Sequence, residues 1–238
     1  MNLDMIKMHH VVLGYQQVYG SGFRTNLEVY YQQGWNVPIE NDSSSSFSYF
    51  NQRDGYGMVP MVSLGESRNY GVDLTVEKAF SNNYFILVTG SLFWSQYKAL
   101  NSPEWQRTRV DKRWSSSVLA GYEFNFKKGG VLQVGLKTLF SGGLRYTPAD
   151  EDASRLLNVY VEDDSRPFSE ADPLYFRTDL RLSYRKDHKK LSYTISIDLQ
   201  NLTNNMNVRN YDWDRQLQEL IPRNQAGFLP VLSFQIDF

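Results

Sequence analysis

Residues capable of nucleophilic or metal chemistry are few in this sequence. The chain of 238 residues has three histidines and no cysteine, which excludes disulfides and thiolate metal sites. A hydrolase would need a histidine beside a serine or a carboxylate, and His9 or His10 with Asp4 is such a combination. Adjacent residues of a strand point to opposite faces. We therefore expect solvated or inward-facing imidazoles, no catalytic residue and no enzyme activity.

Two acidic stretches could bind a hard cation. Asp150-Glu151-Asp152 and Glu162-Asp163-Asp164 offer the carboxylate oxygens that Ca²⁺ prefers. Their spacing does not match an EF-hand loop, and acidic loops are usually only solvated, so we expect neither a metal site nor a cofactor. The net charge of −1 and the lack of a basic stripe give no reason to expect a nucleic-acid partner.

A third set of charged residues lies on one face of predicted strands. Its members are Glu123, Lys137, Arg177, Asp179, Arg181, Arg185 and Asp198. A lysine or arginine facing lipid at the bilayer midplane would cost about 2–4 kcal/mol, so in a membrane barrel these side chains should face the lumen. Charges of both signs favour pairing within the wall.

The elements that position these residues are strands. Aromatic residues form 15% of the chain, and apolar and polar residues alternate over long segments, the pattern of a β-strand with two different faces. We count about nine strands, and each is near the 9–11 residues that a tilted strand needs to cross a bilayer. They are residues 10–18, 23–32, 69–77, 84–95, 114–126, 132–140, 174–185, 191–200 and 228–238.

The connections alternate in length. Short turns lie near 19–22, 80–83, 127–130 and 186–190, and long loops span 36–68, 98–112, 142–173 and 202–227. Outer-membrane barrels have this asymmetry, with short periplasmic turns and long extracellular loops. Aromatic residues near strand ends predict interfacial girdles: Trp35, Tyr70, Tyr97, Trp114 and Tyr184. The fold class is therefore all-β, an antiparallel transmembrane β-barrel.

The first and last segments bear on export and assembly. The first residues lack a secretory signal, and nine strands do not close a bacterial barrel, whose strand number is even, so we expect an upstream part. The last strand carries Phe234, Ile236 and Phe238 on one face, and this ending resembles the C-terminal signal that outer-membrane insertion machinery recognises.

Several motifs resemble one family. They are 69-NYGVDLTVEK-78, 90-GSLF-93, 142-GGLRYTP-148, 175-YFRTDLR-181, 198-DLQNLTN-204 and 225-QAGFLP-230. They are similar to the late barrel strands of TonB-dependent receptors of the Bacteroidota type. The resemblance implies that residues 1–238 are the C-terminal part of a 22-stranded barrel, and that a plug domain, a TonB-coupling segment and about 13 strands are missing.

The resemblance also implies a function. The complete protein would be a bacterial outer-membrane receptor that takes up a siderophore, cobalamin, oligosaccharide or peptide. Its partners would be outer-membrane lipid, its own plug, which the seven charged residues would contact, the TonB complex and the barrel insertion machinery. Two alternatives remain open: a small complete outer-membrane barrel acting as an adhesin or hydrolase, and a soluble β-rich binding module.

Overall fold

The computed structural model shows a chain that is almost entirely antiparallel β structure. It describes residues 3–20, 22–51, 59–101 and 103–238. The strands are β1 Lys7–Val18, β2 Phe23–Glu40, β3 Met61–Ser81, β4 Tyr84–Lys98, β5 Gln106–Arg107, β6 Trp114–Asn125, β7 Gly130–Ser141, β8 Arg145–Tyr146, β9 Glu170–Ala171, β10 Tyr175–Asp187, β11 Ser192–Gln200, β12 Val208–Asp214, β13 Glu219–Asn224 and β14 Leu229–Asp237. The described residues also form a 3₁₀ turn, Tyr49–Asn51, and one helix, α1, Glu151–Leu157. None of their helices has the length and apolarity that a membrane span requires.

One large sheet contains the nine predicted strands. Their order is β1-β2-β3-β4-β6-β7-β10-β11-β14, and short β5 pairs with β4 beyond β6. Each strand is antiparallel to the next. Strands β1 and β14 are the two edges, so the sheet is open. Two small hairpins, β8/β9 and β12/β13, lie in the long loops.

The register gives the sheet one apolar face and one polar face. Leu136, for example, lies opposite Ala120 on β6 and Leu180 on β10. Residues directly opposite each other share a face, so the apolar face continues across all nine strands. It remains exposed in the described chain: Leu232 is 77% and Phe234 64% exposed. No second layer of the described residues covers it.

Aromatic rings border the apolar face at both ends. At the long-loop end the ring centroids of Tyr70 and Trp94 are 5.2 Å apart, and at the short-turn end those of Tyr184 and Tyr193 are 6.4 Å apart. Nine residues on β10, from Phe176 to Tyr184, cover about 27 Å along the strand. A strand tilt of about 40° reduces this to about 20 Å, close to the apolar band of an outer-membrane barrel.

A small core lies on the polar side at the long-loop end. Ile39, Tyr97 and Ala99 are buried there, packed with Val62 and Phe168. The prediction that Tyr97 belongs to a girdle is wrong, because its partner Ser67 and its own register place it on the polar face. The predicted loop 36–68 is also shorter than expected, since β2 continues to residue 40 and β3 begins at residue 61.

Candidate functional site

The four long loops enclose a cavity of about 470 Å³, here called the loop cavity. Each loop contributes to its wall, which combines aromatic, cationic and acidic side chains. Among the lining residues are Phe47, Arg109, Arg145, Tyr146, Tyr160, Glu162, Asp164, Asp172, Arg209 and Tyr211. Concave sites with a few polar groups among aromatic side chains are typical of ligand pockets.

Tyr97 fixes two of these loops to the sheet. Its hydroxyl donates to the Ser46 carbonyl oxygen at 2.9 Å, and its ring packs edge-on against Phe168 at 6.3 Å. The Ser46 hydroxyl in turn donates to Asp164 at 2.9 Å. Burial raises the pKa of Tyr97, so its hydroxyl keeps its proton and remains a donor. The wall of the cavity is thus anchored to the end of β4.

A tyrosine pair joins the two small hairpins, β8/β9 and β12/β13, at the loop cavity. The ring centroids of Tyr146, on β8, and Tyr211, on β12, lie 4.4 Å apart with planes at 34°. Burial, followed by the proximity of Tyr146 and Asp172, raises the pKa of Tyr211. Tyr160 donates to the Thr147 carbonyl oxygen. Protonated tyrosines beside guanidinium groups can stack on a planar ligand group and bind its oxygens.

Three asparagines fix the base of the last long loop, a role the sequence motif alone does not reveal. Asn201 donates to the carbonyl oxygens of Asn205 at 2.9 Å and Ala226 at 3.3 Å. Asn205 and Asn207 both donate to the Phe176 carbonyl oxygen, at 3.1 and 2.8 Å. Residues 201–207 therefore form a turn after β11 in which asparagine side chains replace sheet hydrogen bonds.

The seven charged residues predicted for the inner wall lie on the polar face. The register brings them close together: Lys137 is opposite Asp179, and Arg181 is opposite Asp198. Arg181 and Asp198 form an ion pair at 3.5 Å. Glu123 accepts from the Gln133 amide at 2.6 Å.

The remaining members of this set pair along their own strand. The Arg177 guanidinium lies 2.8 Å from Asp179, and that of Arg185 lies 2.9 Å from Asp187. Asp179 also accepts from the Asn201 backbone N–H at 2.8 Å, which connects the wall to the loop base. The wall thus already contains extensive internal pairing.

A shallow depression of about 430 Å³ opens in the middle of this polar face. Gly121 and Gly135 lie directly opposite each other there, and the missing side chain of Gly135 lowers the surface. The Phe85 ring occupies the space where a Cβ on Gly121 would lie. Lys137 and Arg181 border the depression, so it is apolar at its floor and charged at its rim.

The terminal aromatic residues take part in the apolar face. Phe234 lies opposite Ile195, and Ile236 lies opposite Tyr193. Phe238 follows the end of β14 and is 99% exposed.

The histidines do not assemble with the catalytic partners considered above. His10 contacts the Gln32 amide at 3.3 Å, whereas the His9 ring lies edge-on to Trp35 at 4.8 Å. His188 stacks on Tyr193. His9 shares the face of Tyr31 and Trp35, so it is not on the polar face.

The acidic stretches serve as caps and ion-pair partners. Asp150 caps α1 by accepting from the Ala153 N–H at 3.0 Å, and Glu151 pairs with Arg155 at 3.0 Å. Asp163 accepts from Ser165 and Arg166, and these bonds lower its pKa. Within the described residues, no three His, Cys, Asp or Glu side chains are placed to hold a metal ion.

Comparisons with known proteins identify the type of sheet. No protein-family model matches the sequence, and a search of curated proteins finds no match. Solved structures do match. The ferric yersiniabactin uptake receptor of Yersinia pestis aligns over 98% of this chain with a TM-score of 0.62 and 11% identity. The ferric preacinetobactin receptor of Acinetobacter baumannii aligns over 98% of this chain with a TM-score of 0.63 and 14% identity. The outer-membrane ferripyoverdine receptor of Pseudomonas aeruginosa aligns over 97% of this chain with a TM-score of 0.64 and 12% identity.

The fold is that of the barrel region of TonB-dependent receptors. This chain spans 27–30% of the length of these three structures. The predicted antiparallel β fold is therefore confirmed, and the open sheet, with short turns at one end and long loops at the other, matches the barrel region of these structures. All three neighbours are receptors and none is described as an enzyme.

Proposed function

We propose that this chain forms part of the barrel of a bacterial outer-membrane receptor that takes up a nutrient by energy-coupled transport. The observation that carries the proposal is the apolar face, which is continuous over nine strands, bordered by aromatic rings and exposed. In a soluble sandwich a second sheet would cover such a face. In a membrane, lipid covers it, and the apolar surface removed from water stabilises the insertion.

The polar face is then the lumen wall. Glu123, Lys137, Arg181 and the charged residues paired with them would contact a plug domain, and the depression around Gly121 would receive one of its side chains. Coupling would run through TonB, which in this class acts on the N-terminal part of the receptor. Because the ion pair of Arg181 with Asp198 is partly exposed, removing one of its charges should cost the barrel at most about 1 kcal/mol of stability. Weaker plug seating in such a variant would therefore reflect a lost contact with the plug.

The loop cavity is the proposed point of ligand capture. The neighbours named above are receptors of ferric siderophores, which makes a ferric siderophore the first ligand to test. Cobalamin, oligosaccharides and peptides are the others, and the strand and turn motifs favour a Bacteroidota-type receptor. The tyrosine and arginine side chains around Tyr146 and Arg145 would make the contacts.

The strand that carries Phe234, Ile236 and Phe238 is the proposed signal for the barrel insertion machinery. Replacing Phe238 with serine should reduce the amount of assembled receptor severalfold. Quantitative immunoblotting of outer-membrane fractions measures this, with the exposed loop substitution Arg215→Gln as the control.

Uptake by cells that express the full-length protein tests the function. Four labelled probes are offered separately: a ferric catecholate, cobalamin, an oligosaccharide and an oligopeptide. We expect one to accumulate, accumulation to stop when the proton-motive force is collapsed, and Arg145→Ala with Tyr211→Ala to reduce it at least tenfold. Arg215→Gln should have no effect. Recovery of the protein in the soluble fraction, or uptake that persists without the proton-motive force, would refute the proposal.

A further inference from the structure

A row of polar residues follows the aromatic girdle on the apolar face. The row lies two residues beyond Tyr31, Tyr70 and Trp94, on the side of the long loops. The register places its members directly opposite one another on β1 to β5: His9, Gln33, Arg68, Gln96 and Arg107. We call these five residues the polar row. Every member can donate a hydrogen bond. With strands about 4.8 Å apart, the row is about 19 Å long.

Two cations of this region lie against an indole ring. The Arg68 guanidinium is 4.3 Å from the centre of the Trp105 ring, and the Lys98 ammonium is 4.8 Å from it. Lys98 follows Gln96 by two residues and therefore lies on the same side of β4. Cations held on aromatic rings keep donor groups available for an anion while their apolar stems cover the surface.

Two further arginines converge on one carboxylate. Arg107 lies 2.7 Å and Arg113 3.5 Å from Asp111, whose side chain is fully buried. The Arg113 guanidinium also lies 5.5 Å from the Trp94 ring in the girdle. One buried carboxylate between two guanidiniums leaves a net positive charge beside the polar row. Among the described residues, Glu66 lies opposite Lys98 and Glu104 precedes Trp105 in the sequence. Lys7 on β1 offsets one of these two carboxylates.

The rest of the sheet has no counterpart of this cluster. Two residues beyond the girdle positions Phe140 and Phe176, the chain carries Gly142 and Leu174, and beyond Leu199 it carries Asn201. Two residues beyond Trp114 the chain carries Lys112, but its ammonium lies 5.8 Å from the ring of Tyr175, which shares the polar face with Ser141. On the apolar side the positive charge is therefore concentrated on the first five strands and the loop that leads to β6. Its place, outside the wall and just beyond the girdle at the long-loop end, corresponds to the headgroup layer of the outer leaflet.

We propose that the polar row, with Lys98, Arg113 and Trp105, binds the phosphate-bearing headgroup of an anionic lipid in the outer leaflet. This inference rests on the proposed membrane location but not on transport or on any ligand. Charge complementarity selects the headgroup, since guanidinium groups bind phosphate in bidentate fashion and a basic pocket beside apolar wall favours anionic lipid.

The test uses the full-length protein in a non-ionic detergent. Binding of phosphatidylglycerol, of zwitterionic phosphatidylcholine and of inorganic phosphate is measured separately by native mass spectrometry. We expect preferential retention of phosphatidylglycerol. Each basic residue near an anionic surface contributes about a fivefold factor, so Arg68→Gln with Lys98→Gln should weaken retention about 25-fold. Arg68→Lys should retain most of it.

Controls separate this proposal from the proposed function. Arg155→Gln with Arg215→Gln removes two loop cations elsewhere and should change nothing. Normal barrel assembly of the Arg68 and Lys98 variant, seen as a heat-modifiable gel band, excludes misfolding. Unchanged lipid retention by that variant, equal retention of phosphatidylcholine, or inorganic phosphate binding as tightly as lipid would overturn the lipid site. Failure of the wild type to enter membranes at all would instead overturn the proposed function.

Discussion

Asp111 is a fully buried carboxylate between two arginines. It also accepts from the Ser95 backbone N–H at 3.4 Å. Breaking a buried ion pair costs about 3–5 kcal/mol, but Arg107 and Arg113 are 24% and 36% exposed and can regain water. We therefore expect Asp111→Asn to destabilise the 99–113 loop by about 2 kcal/mol.

Hydrogen exchange of the loop amides measures this effect in the folded receptor. A loss of about 2 kcal/mol corresponds to about 30-fold faster exchange through local opening. Asp212→Asn is the matched control, because Asp212 pairs with Arg223 at 2.9 Å with both side chains about half exposed. That substitution should cost at most about 1 kcal/mol. Equal effects of the two would show that burial of Asp111 contributes nothing.

Gly143 offers a second residue-scale prediction. A Cβ at this position would lie against the carbonyl oxygen of Asp172, and the Asp172 N–H donates to Leu144 at 2.9 Å. Gly143→Ala should push this pair apart at a cost of about 1–3 kcal/mol and open the loop cavity. Opening of the loop cavity would be measured as faster protease cleavage within residues 142–174. Gly90→Ala is the control, since nothing lies within 4 Å of its Cβ position.

Side-chain partners at the residue scale could be predicted only in part. Alternation assigned the seven inner-wall charges to one face, because that requires only a period of two. Alternation alone could not predict the ion pair of Arg181 with Asp198, because that pair depends on the register between β10 and β11. Tyr97 was misplaced because aromatic type alone does not distinguish the two faces at the end of a strand.

Strands were predictable where alternation was unbroken. The nine strands of the sheet follow from this alternation. The long-loop ends of β2 and β3 do not, because the register shifts between Gly34 and Val37 and again before Ile39. Helix α1 has seven residues, too few for a helical period to show. Its signal was present as Asp150 before two acidic residues, which is a helix N-cap pattern, but the same residues also resemble a solvated acidic loop.

The two faces of β7 give a prediction at the scale of the element. Leu136 lies at the middle of the apolar face, opposite Ala120 and Leu180, and Gln133 lies on the polar face beside Glu123. Leu136→Arg should destabilise the barrel by about 2–4 kcal/mol in a bilayer, whereas Gln133→Arg should be tolerated. Urea titration of the receptor folded in liposomes measures both. Equal tolerance would mean that lipid does not contact the apolar face.

The molecule as a whole combines an open sheet with an organised loop end. Edge strands β1 and β14 each carry unpaired backbone groups, which hydrocarbon cannot satisfy. The sheet can therefore rest in a membrane only when further strands complete it. The loops, by contrast, form their own small core around Tyr97 and Ile39, so the loop cavity can keep its shape while it faces water.

The orientation of the whole molecule yields the last prediction. If the long loops face outward, Leu157→Cys, at a position 61% exposed in the 142–174 loop, should react with a membrane-impermeant maleimide on intact cells. Lys189→Cys, in the short turn between β10 and β11, should react only after the outer membrane is permeabilised. This chain contains no cysteine, so each variant adds a single site to it. Labelling of Lys189→Cys but not Leu157→Cys on intact cells would reverse the orientation, and with it the assignment of the polar row to the outer leaflet. Labelling of both would mean that the sheet does not separate two compartments.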